Sequence, residues 1–434
     1  MTRTASHPAS GRPRASRVLT GLLLLLIGAG AGLGASLAMP RAMGAEPSPS
    51  PAASEDPTRL PAGFDVWQQA LGIIRDHYVD PSAASDQAIV EGSIRGMVDA
   101  LGDAGHTVYL TEEEKAVEED VLNGTIIGIG VTVDARNGSP TIVSVLEGSP
   151  ASRAGLRPGD AIIAVDGQRT DRSGTSRLVE LVRGEVGTTV KLRIRAADGT
   201  QRDVSLVREK VELPTVEWAM VPGSSVAVIR LNQFSQGAGK EVADAARDAL
   251  AADASAVILD LRGNPGGLLD EAVAVAGTFL PEGTVYQSVD RSGTSTPRAV
   301  RGDAVVPDLP MAVLVDYGSA SSAEIVAAAL QENGRARVVG EPTYGTDTIL
   351  MNYDLRDGSA IRLGVERWNT PDGHDVFDTG ITPDVTVALP ADGSILEPPA
   401  FKDLTRKQFN ASTDTQLRRA VRMLSEGSGA AAPA

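Results

Sequence analysis

Apolar positions change their spacing along this chain, and each change marks a different kind of element. Between residues 63 and 120 they recur every three to four positions. Phe64, Trp67, Leu71 and Ile74 form one such stripe, and Ile89, Ile94, Met97, Val98 and Leu101 another. That spacing puts each set on one face of an amphipathic helix. Thr111 followed by Glu112, Glu113 and Glu114 reads as an N-cap with an acidic first turn. From 125 to 208 the runs shorten. Strands are predicted over 126–133, 141–145, 161–165, 189–195 and 203–207, with Gly-rich turns between them and one helix over 174–183. From 226 onward the order becomes βα. Strands are predicted over 226–231, 256–261, 311–315 and 337–339, and helices over 239–252, over 268–280 and after Ser321. Residues 347–355 and 360–368 alternate like paired strands, and a last helix falls near 413–424.

The fold class this predicts is multidomain, α+β and α/β. A helical domain (63–120) precedes a sheet-plus-helix module (121–210), an α/β layered core (211–395), and a C-terminal helix with a disordered tail (396–434). No internal repeat of 20–50 residues is visible.

The first 45 residues differ from the rest. Arg3, Arg12, Arg14 and Arg17 precede an uncharged run from 18 to 39, and Arg41 follows it. A basic start and an apolar run imply export, as a signal peptide or a membrane anchor; the length of the run favours the anchor. Arginine before the span and acid after it put the body outside the cytoplasm. Residues 46–62, rich in Pro, Ser and Ala, read as a disordered linker.

Composition narrows the function classes. Beyond residue 45 there are 56 acidic and 35 basic side chains, a net charge of −21. Such a body argues against nucleic acid as a partner and against adhesion to anionic lipid. The chain has no cysteine, which excludes disulfides, a thiol nucleophile and thiolate metal sites. Its four histidines (His7, His77, His106 and His374) show no metal-binding spacing, so no metal or other cofactor is expected. Lysine is scarce, and none lies between residues 241 and 401.

Three segments carry candidate chemistry. Asp316-Tyr317-Gly318-Ser319-Ala320-Ser321-Ser322-Ala323-Glu324-Ile325 joins an apolar strand to an amphipathic helix through a Gly/Ser turn. A serine hydroxyl held there meets converging N–H groups and the positive end of a helix dipole, which favour a developing oxyanion. LDLRGNPGG (259–267) is a strand running into a Gly-rich turn before a helix; it reads as a plain α/β connection or as a backbone donor beside an active site. Gly128-Ile129-Gly130-Val131 opens a strand, and GSPASRAGLRPGDAI (148–162) follows. Glycines there let successive N–H groups face a cavity, as in carboxylate capture.

The module with GSPASRAGLRPGDAI and Val165-Asp166-Gly167 resembles a PDZ domain of the bacterial protease type. That resemblance implies binding of an extended polypeptide by strand addition through its C-terminal tail, with Gly128, Ile129, Gly130 and Val131 at the binding edge. Together with LDLRGNPGG, GSASSAEIVAAAL (318–330), Tyr109-Leu110-Thr111, RARVVG (335–340) and GITPD (380–384), it makes residues 64–390 resemble the carboxyl-terminal processing, or tail-specific, serine proteases. The resemblance implies a ClpP/crotonase-like core, Ser321 as nucleophile, and the N–H groups of Gly267 and Ser322 as oxyanion donors.

One departure matters. The family's usual Gly-Lys-Gly-Thr segment, with lysine as base and a glutamine four residues on, is here Gly345-Thr346-Asp347-Thr348-Ile349-Leu350. Thr346 stands at the lysine position and Leu350 at the glutamine position. A threonine hydroxyl has no useful basicity near neutral pH. Two readings remain open. In the first the base has changed: His106 takes the proton, as a histidine does in the related tricorn-type proteases, and Glu366 holds its tautomer. In the second the protein is a membrane-anchored pseudoprotease that binds tails as a scaffold or chaperone. His374, in a Pro/Gly turn, and His77, near a helix end, read as surface residues.

Overall fold

The computed structural model describes residues 60–427, except 104–105, 137–138, 171–174, 197, 303 and 392. The predicted signal or anchor lies outside the described residues. No helix among the described residues is long and apolar enough to cross a membrane. The described residues divide into two compact units, one built from residues 111–351 and 364–427 and the other from 60–110 and 352–363.

The larger unit contains the α/β core. Its strands follow the order Val216–Met220, Val226–Leu231, Ala256–Asp260, Met311–Val315, Arg337–Gly340 and Val385–Thr386. All neighbours are parallel except the first pair. The central strands are continuous apolar runs because both faces are covered. On one face Ile229, Leu259 and Val313 pack under the helices Ala238–Ala251, Leu269–Phe279 and Ser322–Glu332. On the other, Val228, Ile258 and Leu314 meet Phe401, Phe409, Leu417, Val421 and Leu424. The C-terminal segment is thus the second helical layer of this core, ending in the helix Thr415–Gly427.

The sheet-plus-helix module also belongs to this unit. Ile129, Ile142, Ile162, Val165, Leu178, Val190, Leu192 and Ile194 form its core. One predicted strand is corrected here. The run over 126–133 is two strands in different sheets: Thr125–Gly128 pairs with Glu209–Glu212, and Val131–Arg136 pairs with Ser139–Val145. Gly130 breaks the run with φ 75°, and a Cβ there would lie 2.2 Å from Ser149 Cβ. Val131–Arg136 ends its sheet in the order observed, so one edge is unpaired among the described strands.

The smaller unit has the helices Phe64–His77 and Asp86–Asp99 and the strand Val108–Leu110, which pairs antiparallel with residues 360–362. The stripe of Phe64, Trp67, Leu71 and Ile74 forms the expected helix, yet that helix buries none of its residues. Helix Glu112–Leu122, in the larger unit, begins with a full capping box between Thr111 and Glu114.

Candidate active site

Strand Met311–Val315 delivers the chain to a turn fixed by its own side chains. Asp316 Oδ1 accepts the N–H groups of Gly318 at 2.9 Å and of Gly263 at 2.8 Å. The buried Ser319 hydroxyl donates to the Leu261 carbonyl at 2.8 Å. Ala320 N–H donates to the Asn264 carbonyl at 3.0 Å, and Ser322 Oγ donates to the Gly267 carbonyl at 2.9 Å. Four bonds therefore lace the 316–322 turn to the 261–267 loop. Within that loop, Asn264 Oδ1 accepts the Gly266 N–H at 2.9 Å, and its amide nitrogen donates to the Leu231 carbonyl at 2.8 Å.

Ser321 sits where this lacing converges. Its φ of 54° and ψ of −120° lie outside the regions favoured by a side-chain-bearing residue, a strain of about 1–3 kcal/mol. The turn is over-determined by its contacts, so the strain persists. The Gly266 backbone is closely apposed: a Cβ there would lie 2.8 Å from Ser321 Cβ and 3.1 Å from Ser322 N. Among the described residues, no acceptor takes the N–H of Gly267 or of Ser322.

Glu324, one turn into the helix and fully buried, ties Ser321 to the third segment. Its carboxylate accepts the N–H groups of Ser321 at 2.8 Å, Gly345 at 2.7 Å and Thr346 at 3.1 Å, and the Thr343 hydroxyl at 2.5 Å. Burial pushes this carboxyl up, and the four donors offset that only in part. Sequence reasoning missed Glu324, although a serine followed three residues later by glutamate is a capping-box signal. Thr346 is itself buried, and its carbonyl accepts the Trp368 indole N–H at 2.9 Å.

Below the 261–267 loop lies a buried ionic cluster. Arg262 donates to Asp260 at 2.7 and 2.9 Å, to Asp414 at 2.8 Å and to Gln416 at 3.1 Å, with Arg230 against Asp260 at 3.3 Å. Burial works against both charges. The two carboxylates nevertheless keep Arg262 protonated, and the two guanidinium groups hold Asp260 below the usual carboxylate range.

In the smaller unit, His106 Nδ1 lies 3.2 Å from Asp103 Oδ1, and Asp103 Oδ2 accepts the Thr107 hydroxyl at 2.6 Å. Arg362 Nε donates to the His106 carbonyl at 3.2 Å. Asp103 was not singled out from sequence, although an acid three residues before a candidate base is a readable signal. Glu366, in strand Ala360–Asn369, is half-buried and adds to the burial that raises the Tyr286 phenol. His374 is exposed and pairs with Glu332 at 3.0 Å, which raises its pKa.

At the sheet-plus-helix module, the N–H groups of Ile129 and Gly130 have no acceptor among the described residues. The Ile129 side chain is core, so it offers a ligand its backbone alone. Gly128 is paired with Glu209, and Val131 starts the edge strand.

These features define a class: a serine peptidase with an α/β layered core and a peptide-binding sheet-plus-helix module. Residues 225–387 match peptidase family S41, and residues 141–196 match the PDZ domain. The chain belongs to the carboxyl-terminal processing serine protease family. It is 32% identical over 362 residues to the carboxy-terminal processing protease CtpA of Bacillus subtilis, covering 83% of this chain and 76% of that one. It is 38% identical over 295 residues to the carboxyl-terminal-processing protease of Synechocystis sp., covering 66% and 69%. The CtpA-like serine protease of Staphylococcus aureus strain COL is longer, and the chain spans 60% of it at 34% identity. A solved S41 protease structure from Bacteroides fragilis shares the fold, with a TM-score of 0.51 and 19% identity over 86% of this chain and 99% of that one.

Proposed function

We propose that the protein is an extracytoplasmic, membrane-associated endopeptidase in which Ser321 is the nucleophile and His106 replaces lysine as the base. A polypeptide tail adds as a strand beside Val131, with its terminal carboxylate at the N–H groups of Ile129 and Gly130 next to Gly128. Ser321 Oγ attacks the scissile carbonyl while His106 takes its proton. The N–H groups of Gly267 and Ser322 receive the oxyanion, each such donor typically supplying about 3–4 kcal/mol. Water then hydrolyses the acyl-enzyme. The observation that carries this reading is the strained Ser321 turn beside two N–H groups without acceptors among the described residues.

The second reading, a tail-binding scaffold without activity, is favoured by Thr346 alone. Casein cleavage by the native protein, beside Ser321→Ala and His106→Ala, separates the two. Cleavage abolished by both substitutions supports the Ser/His enzyme. Loss with Ser321→Ala alone rejects His106 as base. No cleavage by the native protein, with apolar-ended peptides present, favours the scaffold.

A further inference from the structure

We infer that Asp103 is the residue that positions His106, fixing its tautomer so that the lone pair falls on Nε2. The inference rests on the Ser321–His106 reading for its catalytic consequence, but its structural content stands apart from it.

A neutral imidazole carries one N–H, and the neighbour of each ring nitrogen decides which nitrogen holds it. Asp103 Oδ1 is 3.2 Å from Nδ1, and an ionised carboxylate only accepts hydrogen bonds. The proton therefore belongs on Nδ1. The other carboxylate oxygen is held by the Thr107 hydroxyl at 2.6 Å, so the carboxylate is itself oriented. Thr107 is buried, and strand Val108–Leu110 begins directly after it. The Asp103-to-Thr107 bond thus anchors the carboxylate to the start of a paired strand. On the backbone side, His106 N–H reaches the Asp103 carbonyl at 3.4 Å, and Arg362 Nε holds the His106 carbonyl at 3.2 Å. Ring, carboxylate and backbone are fixed within five residues and one strand pair.

The test uses the full protein with ¹⁵N-labelled histidine and follows His106, assigned by its loss in His106→Gln. At about pH 8, where an ordinary imidazole is neutral, native His106 is expected as the Nδ1–H tautomer, and Asp103→Asn is expected to shift the population toward Nε2–H. In parallel, Asp103→Asn should lower kcat on the order of 100-fold with KM little changed, the range in which a mispositioned base acts. Asp103→Glu should recover part of that loss. Thr107→Val removes the carboxylate's other bond without touching the ring; it should leave the tautomer in place and cost less than Asp103→Asn. Nε2–H in the native protein overturns the inference whatever the activity. So does an equal loss of kcat in Thr107→Val and Asp103→Asn with the tautomer unchanged in both, because the carboxylate then only braces the loop. If the tautomer follows Asp103 but His106→Gln cleaves normally, the positioning contact stands and His106 is not the base.

Discussion

Glu324 holds the backbone of Ser321: its carboxylate accepts the serine N–H at 2.8 Å while also binding Thr343, Gly345 and Thr346. The strained Ser321 turn and the 343–346 segment are thus fastened to one buried group. Glu324→Gln puts an NH₂ donor against N–H donors. It should cost about 1–3 kcal/mol, the usual penalty of an unsatisfied buried polar group. Urea unfolding measures that loss, and peptide hydrolysis should fall with it as Ser321 relaxes. An unchanged unfolding midpoint would remove Glu324 from this role.

The Gly266 backbone is closely packed against Ser321. In Gly266→Ala the new Cβ would lie 2.8 Å from Ser321 Cβ and 2.9 Å from the Ala320 carbonyl. Neither neighbour is a flexible side-chain end, so the loop must move. Hydrolysis should drop on the order of 100-fold or more, the scale set by losing one oxyanion donor. Binding of a tail peptide to the PDZ domain, read by fluorescence anisotropy, should stay within a few-fold of native.

Gly130→Ala should do the reverse. Its Cβ would meet Ser149 Cβ at 2.2 Å at a φ of 75°, disturbing the backbone that separates the two sheets. Tail-peptide affinity should fall and KM for tailed substrates should rise, on the order of 10-fold. Reaction of Ser321 with a small activated ester should change little. Equal loss in both assays would show that the module supports the whole unit rather than ligand capture.

Acid should weaken the core through Asp260. Burial opposes its ionisation, but the Arg262 and Arg230 charges win and lower its pKa. The folded state therefore binds this proton less tightly than the unfolded chain. The contribution to stability is present above the unfolded value and is lost as pH falls through the lowered folded value. Asp260→Asn should cost about 3–5 kcal/mol at neutral pH by leaving buried guanidinium groups underpaired. It should also flatten the stability loss between about pH 5 and pH 2. Denaturant unfolding across that range is the measurement, and parallel curves for native and variant would contradict the assignment.

Several elements are legible in the residue pattern alone. The predicted strands 226–231 and 311–315 match the observed ones end to end, because a strand buried on both faces is written as an unbroken apolar run. The strand–turn–helix around Ser321 is equally plain, since its glycine and serines are punctuation that few other local structures use. The split at Gly130 is not legible. Residues 126–133 are β-prone throughout, and only the approach of Ser149 shows that the chain must turn there. Helix Phe64–His77 shows a limit of another kind: periodicity predicts the helix, but not that no residue of its apolar stripe is fully buried.

The sequence by itself determined element types, the strand–turn–helix at Ser321, the PDZ-type module and the threonine at 346, because each is encoded by spacing or by residues close along the chain. The tertiary structure alone decided that Asp414 meets Arg262 across 152 positions, that the C-terminal helix forms one face of the core, and that Glu324 reaches the 343–346 segment. Those contacts depend on strand order and on which face each helix covers. A local pattern of polar and apolar residues does not carry that information, because the same amphipathic helix fits either face of a sheet.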